Sequence, residues 1–358
     1  MKAVAPGGTI GILGGGQLGR MLALAAARLG LKTHIYCDDA DAAAAQVSDA
    51  HTIGKFDDTV ALSAFAQACD AVTLEFENVP AATVAHIATL KPMHPCAKAL
   101  AITQDRVDEK SFIQALGLAT PRFEAVNSVG DARALFGTFG TRAVLKTRRF
   151  GYDGKGQAKP GHAEDAAAAF AKFNGALSIM EAYIDFDFEA SVIAARGADG
   201  SFAAYDPPEN RHENHILRRS TVPGRLMAKQ GEEAKEIART IATALDYVGV
   251  LAVELFVLKD GSLVVNEIAP RVHNSGHWTI EACAVSQFEQ HIRAVAGWPL
   301  GDPSRHADAV MENIIGAEAD AWETLAKRPG ALHLYGKGAA RAGRKMGHFT
   351  TLKPLTRG

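Results

Sequence analysis

The 358 residues carry 38 Lys and Arg against 40 Asp and Glu, a formal charge of −2, and 47% of the side chains are hydrophobic. That balance excludes a chain whose main task is sequence-independent nucleic-acid binding, which needs a basic surplus to displace counterions. No stretch reaches the ~20 apolar residues of a membrane span, and seven glycines with one proline between Lys2 and Arg20 deny that uncharged segment the helix of a signal peptide, so a cytoplasmic chain of two or three domains is expected.

Thr9–Leu13 predicts a short buried strand, Gly14–Gly19 a turn, and Arg20–Leu29 a helix stopped by Gly30. Thr33–Cys37 reads as a second strand, Val60–Cys69 as a helix and Ala71–Phe76 as a third strand, the alternation of an open parallel α/β sheet. A helix over Gln104–Leu116 ends before Thr120-Pro121. A small unit follows, with strand Arg142–Thr147, a glycine hairpin over 151–156, helix Ala163–Phe173 and strand Leu177–Tyr183. Four strand-like runs, Phe188–Ile193, Ser201–Tyr205, Val248–Leu258 and Ser262–Ile268, surround helix Glu232–Leu245, and Asp260-Gly261 marks a hairpin between the last two. The centre is therefore α+β with an antiparallel sheet, and the final ~60 residues read as a mixed cap on it. Cys37, Cys69, Cys96 and Cys283 form no C-x-x-C pair and are expected to be small buried hydrophobes of a reduced chain.

Several glycines fall where chemistry is expected. Gly14-x-Gly16-x-x-Gly19 stands between strand and helix, with Asp38 and Asp39 near the end of the second strand, which fits a dinucleotide site but equally any anion, or none. Lys146 ends a strand before Arg148, Arg149, Gly151, Gly154, Lys155, Gly156 and Gln157, an anion cradle suited to a triphosphate, with a solvated basic hairpin as the plainer reading. Glu254 and Glu267 interrupt apolar runs on facing strands, where Mg²⁺ or a core arginine would offset the burial of a carboxylate. Arg271, His273 and Asn274 crowd the loop after Glu267 and could hold a small planar anion such as bicarbonate. His212-x-x-His215 has zinc-like spacing without a third ligand. Lys337, Arg341, Arg344 and Lys345 suit either a phosphate ester or a solvated or RNA-contacting face.

Taken together, these residues resemble the ATP-grasp superfamily and, within it, the N5-carboxyaminoimidazole ribonucleotide synthetases, over essentially the whole chain. The resemblance is carried by Gly-Gly-Gly-Gln-Leu-Gly-Arg-Met at 14–21, Gly-Tyr-Asp-Gly-Lys-Gly-Gln at 151–157, Asn-Glu-Ile-Ala-Pro-Arg-Val-His-Asn-Ser-Gly-His-Trp-Thr at 266–279, Tyr-Gly-Lys at 335–337 and Arg-Lys-Met-Gly-His at 344–348. It implies an α/β and α+β chain with the ATP-grasp fold. A Rossmann-like parallel sheet would span 1–103, a lid region 104–183, a catalytic antiparallel sheet 184–300 and a C-terminal cap 301–358.

The resemblance also implies an activity: ATP- and Mg²⁺-dependent carboxylation of 5-aminoimidazole ribonucleotide with bicarbonate, through carboxyphosphate and CO₂, in purine biosynthesis. Arg106 and Lys146 would contact ATP phosphates, closed over by Gly151, Tyr152, Asp153, Gly154, Lys155, Gly156 and Gln157. Glu181, Ala182, Tyr183 and Ile184 would form the hinge against adenine, with Glu189 on the ribose and His212 lining the nucleotide site. Glu254 and Glu267 would be the Mg²⁺ ligands beside Asn266, and Arg271, His273 and Asn274 would hold bicarbonate and carboxyphosphate. Gln17, Leu18, Glu75, Tyr152, Asp153 and Lys155 would surround the aminoimidazole and ribose, with Lys337, Arg344 and Lys345 at its phosphate. A homodimer is implied, with no nucleic-acid or membrane partner. The chain departs from the usual pattern at Lys155, where many relatives carry arginine, and at His215, where they usually carry glycine. A formate-dependent ATP-grasp transformylase, a biotin carboxylase, an NAD oxidoreductase and a silent scaffold are the competing readings.

Overall fold

The computed structural model describes residues 2–140, 142–151 and 154–356. Strands β1 (Thr9–Leu13), β2 (Lys32–Cys37), β3 (Ala50–Ile53) and β4 (Ala71–Leu74) form a parallel sheet in the order β3-β2-β1-β4. β4 is buried at every position, as a strand covered on both faces must be. Helices α1 (Gln17–Arg28), α2 (Thr59–Gln67), α3 (Ala81–Ala88) and α4 (Ala97–Thr103) accompany the sheet. α1 begins three residues before the expected Arg20, because the backbone N–H groups of Gly16 and Gly19 find a distant acceptor in Glu75. The helix expected over Gln104–Leu116 is α5 (Arg106–Ala115), parted from α4 by Asp105, whose carboxylate accepts from the N–H groups of Val107 and Asp108.

A second sheet, β5 (Phe123–Val126), β6 (Ala143–Thr147), β7 (Gln157–Ala158) and β8 (Ser178–Ala182), runs in the order β5-β8-β6-β7. It packs on α6 (Val129–Phe136) and α7 (Ala163–Lys172) through Val126, Phe136, Leu145, Phe170 and Met180.

The central sheet has nine strands where four runs were expected. To β9 (Phe188–Arg196), β10 (Phe202–Ala204), β13 (Gly249–Val257) and β14 (Leu263–Ala269) it adds β11 (Glu209–Glu213), β12 (Ile216–Val222), β15 (Asp308–Ile315), β16 (Ala331–Leu334) and β17 (Lys345–Lys353). β11 reads Glu-Asn-Arg-His-Glu and carries no apolar alternation, so only its pairing with β9 and β12 reveals it as a strand. The C-terminal stretch joins this sheet by the antiparallel pairing of β12 with β15. α8 (Ala228–Ala244), α9 (Thr279–Ala282), α10 (Gln287–Val295) and α11 (Trp322–Leu325) complete the chain. Among the described residues no helix is long and apolar enough to cross a membrane.

The largest apolar cluster joins the first sheet to the central one, with Leu22 and Ile35 in the same cluster as Val250, Trp278, Phe288, Ile292 and Tyr335. All four cysteines are free; Cys37, Cys69 and Cys283 are buried as expected, whereas Cys96 is only partly covered. Burial pushes the thiols of Cys69 and Cys283 up to about 12, which leaves them inert.

His291 of α10 pins the two sheets together. The N–H of Val250 donates to its Nδ1 at 3.0 Å, so the proton sits on Nε2, which donates to Thr73 Oγ1 at 2.7 Å. Burial holds this imidazole down to about 3, against 6.5 in the unfolded chain. Only the unfolded state therefore binds its proton as pH falls from 6.5, so stability drops progressively towards pH 3, by up to about 1.36 kcal/mol per unit from this group. Urea unfolding of His291→Gln between about pH 6.5 and 5 is expected to show a shallower loss than the unsubstituted chain. Equal slopes would mean that His291 is not held neutral.

Candidate active site

A cavity of about 880 Å³ opens where the three sheets meet. Its first wall is the end of the parallel sheet. Gly14 has φ +108°, and a Cβ there would lie 2.5 Å from Glu75 Cγ, so glycine is required. Glu75 Oε1 accepts from Gly16 N–H at 2.8 Å and Oε2 from Gly19 N–H at 3.1 Å. The chain's own carboxylate thus fills the place that a dinucleotide pyrophosphate would take, and Asp38 is left exposed, which removes the dinucleotide reading. Burial pushes the Glu75 carboxyl up against those two N–H groups. Gln17 and Leu18 line the cavity beside it.

The second wall is the lid sheet with α5. Lys146 Nζ donates to Glu181 Oε2 at 2.7 Å, and the fully buried Lys110 lies 3.6 Å from Glu181 Oε1. Burial alone raises Glu181, but Lys146 and Lys110 bring it down to about 2. Arg106 Nη1 donates to Glu267 Oε2 at 2.8 Å and its Nη2 to the carbonyl of Gly151 at 3.1 Å. Gly154, Lys155, Gly156 and Gln157 line the mouth, and Tyr152 and Asp153 lie outside the described residues. Ala182, Tyr183 and Ile184 follow Glu181 along the cavity, facing an apolar patch with Val144 and the stacked rings of Phe186 and Phe256, whose centroids are 4.7 Å apart.

The third wall is the β13–β14 hairpin. Glu254 and Glu267 stand directly opposite in register, and the register then shifts so that Leu255 faces Val265 and Asn266 is the extra residue of a bulge. Asn266 Oδ1 is buried with no hydrogen-bond partner among the described residues. Glu254 Oε1 lies 3.2 Å from His273 Nε2. Burial raises the Glu254 carboxyl, but the His273 hydrogen bond, with His212 and Lys345 behind it, brings it down to about 2. Arg271 forks onto Glu77 through Nε and Nη2, and against the opposing effect of burial this pairing takes Glu77 down to about 2. Asn274 exchanges amide hydrogen bonds with Asn313, at 3.0 and 2.6 Å.

The two histidines with zinc-like spacing do different things. His212 Nδ1 is 2.7 Å from Glu189 Oε2, while His215 lies against Gly154, where an added Cβ would meet its ring at 2.8 Å. His212 is raised, its Glu189 partner outweighing burial. Lys345 lines the cavity; Lys337 and Arg344 do not. Lys337 Nζ instead donates to the Lys345 carbonyl at 3.0 Å, and burial followed by Arg344 lowers it to about 8. A separate group, Glu281, His333 and His348, brings its donor atoms within 4.8 Å of one another. There His333 and His348 stack in parallel at 4.4 Å, so their nitrogens run side by side, and His333 Nε2 is 2.7 Å from Glu281 Oε1. That geometry is a hydrogen-bonded ring stack and does not converge on an ion.

Sequence reasoning missed Glu77, Glu109, Lys110 and Asn313. Glu77 follows the third predicted strand at the carboxyl end of a parallel sheet, a position that does point to ligands. The charged run from Arg106 to Lys110 resembles a solvated helix face, yet Glu109 is 2% and Lys110 0% exposed. Burial pushes the Glu109 carboxyl up, with the neighbouring Glu267 adding to it.

Three family profiles match: the ribonucleotide synthetase preATP-grasp domain over 8–104, the ATP-grasp domain over 111–288 and the phosphoribosylaminoimidazole carboxylase C-terminal domain over 309–356. The N5-carboxyaminoimidazole ribonucleotide synthase of Brucella melitensis biotype 1 is 50% identical over 354 residues, 98% of either chain. The chain belongs to the N5-carboxyaminoimidazole ribonucleotide synthase family. An ADP complex of such a synthetase superposes with TM-score 0.95 at 38% identity, covering 99% of this chain and 94% of that one. The Aspergillus clavatus synthase in complex with ADP and 5-aminoimidazole ribonucleotide gives 0.91 at 31% identity, covering 98% and 94%. This synthase is accordingly an ATP-dependent ligase of purine biosynthesis with the ATP-grasp fold.

The synthase keeps the β11–β12 turn despite its departure at 215. Asn214 and His215 form a two-residue hairpin loop with φ of 51° and 64°, the left-handed geometry that glycine adopts freely. His215→Gly should therefore raise stability in urea by up to about 1 kcal/mol. A loss instead would show that the ring's packing on Gly154 outweighs the backbone strain.

Proposed function

We propose that this ligase joins bicarbonate to the exocyclic amine of 5-aminoimidazole ribonucleotide, consuming ATP with Mg²⁺ and acting as a cytoplasmic homodimer. One observation carries the metal-assisted reading: two acids face each other across the β13–β14 hairpin, and Asn266 Oδ1, which has no hydrogen-bond partner among the described residues, stands next to Glu267 at the same cavity wall. Two carboxylates and an amide oxygen are hard donors suited to Mg²⁺, so Glu254, Glu267 and Asn266 would hold it. When bound, Mg²⁺ neutralises charge on the phosphate oxygens during phosphoryl transfer.

The chain's own residues supply the rest. Arg106 and Lys146 take ATP phosphates, the 151–157 loop closes over them, Glu181 to Ile184 hold adenine and Glu189 takes the ribose. Glu77 holds one edge of Arg271, whose Nη1 also donates to the Val272 carbonyl at 3.2 Å, and the guanidinium so fixed meets bicarbonate beside His273 and Asn274. A bicarbonate oxygen attacks the γ-phosphorus and ADP leaves, giving carboxyphosphate. Its carbon–oxygen bond to the phosphate breaks, releasing CO₂ and phosphate. The exocyclic nitrogen then bonds to the CO₂ carbon and passes a proton to the phosphate released beside it. Gln17, Leu18, Glu75 and Lys155 surround the aminoimidazole, and Lys345, the C-terminal cation that lines the cavity, takes its phosphate, with Lys337 bonded to the Lys345 carbonyl outside the lining. A closed cavity protects the labile intermediate from water.

Phosphate release from ATP, Mg²⁺ and bicarbonate is expected to depend strongly on 5-aminoimidazole ribonucleotide. Release that ignores it, or that follows formate or biotin, overturns the substrate assignment. Glu267→Ala should lower the rate by at least ~100-fold, and an undiminished rate would remove Glu267 from the metal site.

A further inference from the structure

We infer that Glu109 and Lys110 are positioning residues, clamping the two peptide groups on either side of Glu267 and tying that acid to the lysine of the lid. The inference rests on the reading of Glu267 as a metal ligand.

β14 is the edge strand of the central sheet, so one side of its backbone has no strand to bond. Its groups are satisfied in sequence from outside. The N–H of Val265 donates to the Ala119 carbonyl at 2.8 Å and Thr120 Oγ1 donates to the Val265 carbonyl at 3.0 Å. At the bulge, α5 takes over: Lys110 Nζ donates to the Asn266 carbonyl at 2.9 Å, and the Ile268 N–H donates to Glu109 Oε1 at 2.7 Å. One turn earlier on the same helix face, Arg106 holds the Glu267 carboxylate itself. Three side chains of one helix therefore fix the carboxylate and both flanking peptides of a single residue.

Covering an edge needs no charge, and burying a lysine and a glutamate is costly unless each is well bonded. The identity of Lys110 follows from its second contact, with Glu181, whose other oxygen takes Lys146. The path Glu267, Asn266 carbonyl, Lys110, Glu181, Lys146 crosses from central sheet to lid sheet through α5. It sets the distance between the metal acid and the phosphate-binding ammonium, and an error of about 1 Å in such a distance can cost about 100-fold in rate.

The test uses the full chain, and dependence of the unsubstituted enzyme on 5-aminoimidazole ribonucleotide is measured first, since its absence would fail the functional reading and not this one. Lys110→Met and Glu109→Leu are expected to lower kcat about 100-fold with KM for 5-aminoimidazole ribonucleotide within about threefold. Both should weaken Mn²⁺ binding in the presence of ADP, read from the free-ion paramagnetic resonance signal, by about tenfold. Glu109→Gln keeps an oxygen for the Ile268 N–H and should stay within about threefold of the unsubstituted enzyme, while Lys110→Arg should recover at least about tenfold over Lys110→Met. Folded Glu109→Leu with undiminished kcat and Mn²⁺ affinity overturns the inference, as does Glu109→Gln as damaged as Glu109→Leu. If Lys110→Met does not fold, the two Glu109 variants decide.

Discussion

Two carboxylates face each other on adjacent strands, and much of the cavity is arranged around that fact. Like charges directly opposite in a sheet repel, and partial burial deepens the cost. Arg106 answers Glu267 from α5, and His273 answers Glu254 from the loop after β14. Both partners come from elements that also line the cavity, so holding the acid pair and shaping the pocket are one arrangement. A hairpin of apolar residues would be more stable in isolation. Under the metal-assisted reading proposed above, a divalent cation would share the two acids as well.

The same pairing recurs along the walls. Lys146 sits on Glu181, Arg271 on Glu77, Arg148 on Asp105 and His212 on Glu189. Arg106, Lys146 and Arg271, three of the cations that would meet a phosphate or bicarbonate, are already held in place by an acid of the chain. Such a site is preorganised, because its cations need little rearrangement when an anion arrives. It also explains how a chain of near-zero net charge can serve triphosphate chemistry: its positive groups are local and fixed, and their counter-charges stand behind them.

Legibility in the sequence divided along the range of the interactions. Strands with apolar runs, the Asp260-Gly261 hairpin and the facing acids were readable, because alternation and turn chemistry are local signals. β11 was not, because a strand of polar residues between two neighbours has no apolar period. Nor was α4, a single short helix over Ala97–Thr103 that is absent from the predicted elements, although the start of α5 was placed within two residues of Arg106. Glu77 with Arg271 and Glu109 with Ile268 join positions far apart in the chain, and no local pattern specifies them. The site residues assigned by the resemblance do line one cavity, apart from Lys337 and Arg344, which do not line it, and Tyr152 and Asp153, which lie outside the described residues.

The glycine motif after β1 shows how the same backbone can serve a different recognition task. In a dinucleotide fold the N–H groups at the start of the first helix meet a pyrophosphate. Here they meet Glu75, so the partial positive charge of the helix terminus is already neutralised and a phosphate placed there would be repelled. Any phosphate ester at this end of the cavity must be held by other cations. One group of them is C-terminal: Gln46 donates to the Gly336 carbonyl at 2.8 Å, bringing Gly336 against the first sheet, and Lys337, after Arg271, is close enough to Glu75 to lower its carboxyl against the larger effect of burial. Glu75 thereby does two jobs. It closes the helix N-terminus to phosphate, and it stands as a hydrogen-bond acceptor at the cavity wall beside Gln17 and Leu18, where the aminoimidazole of the proposed reaction would offer donors and a dinucleotide would offer another anion.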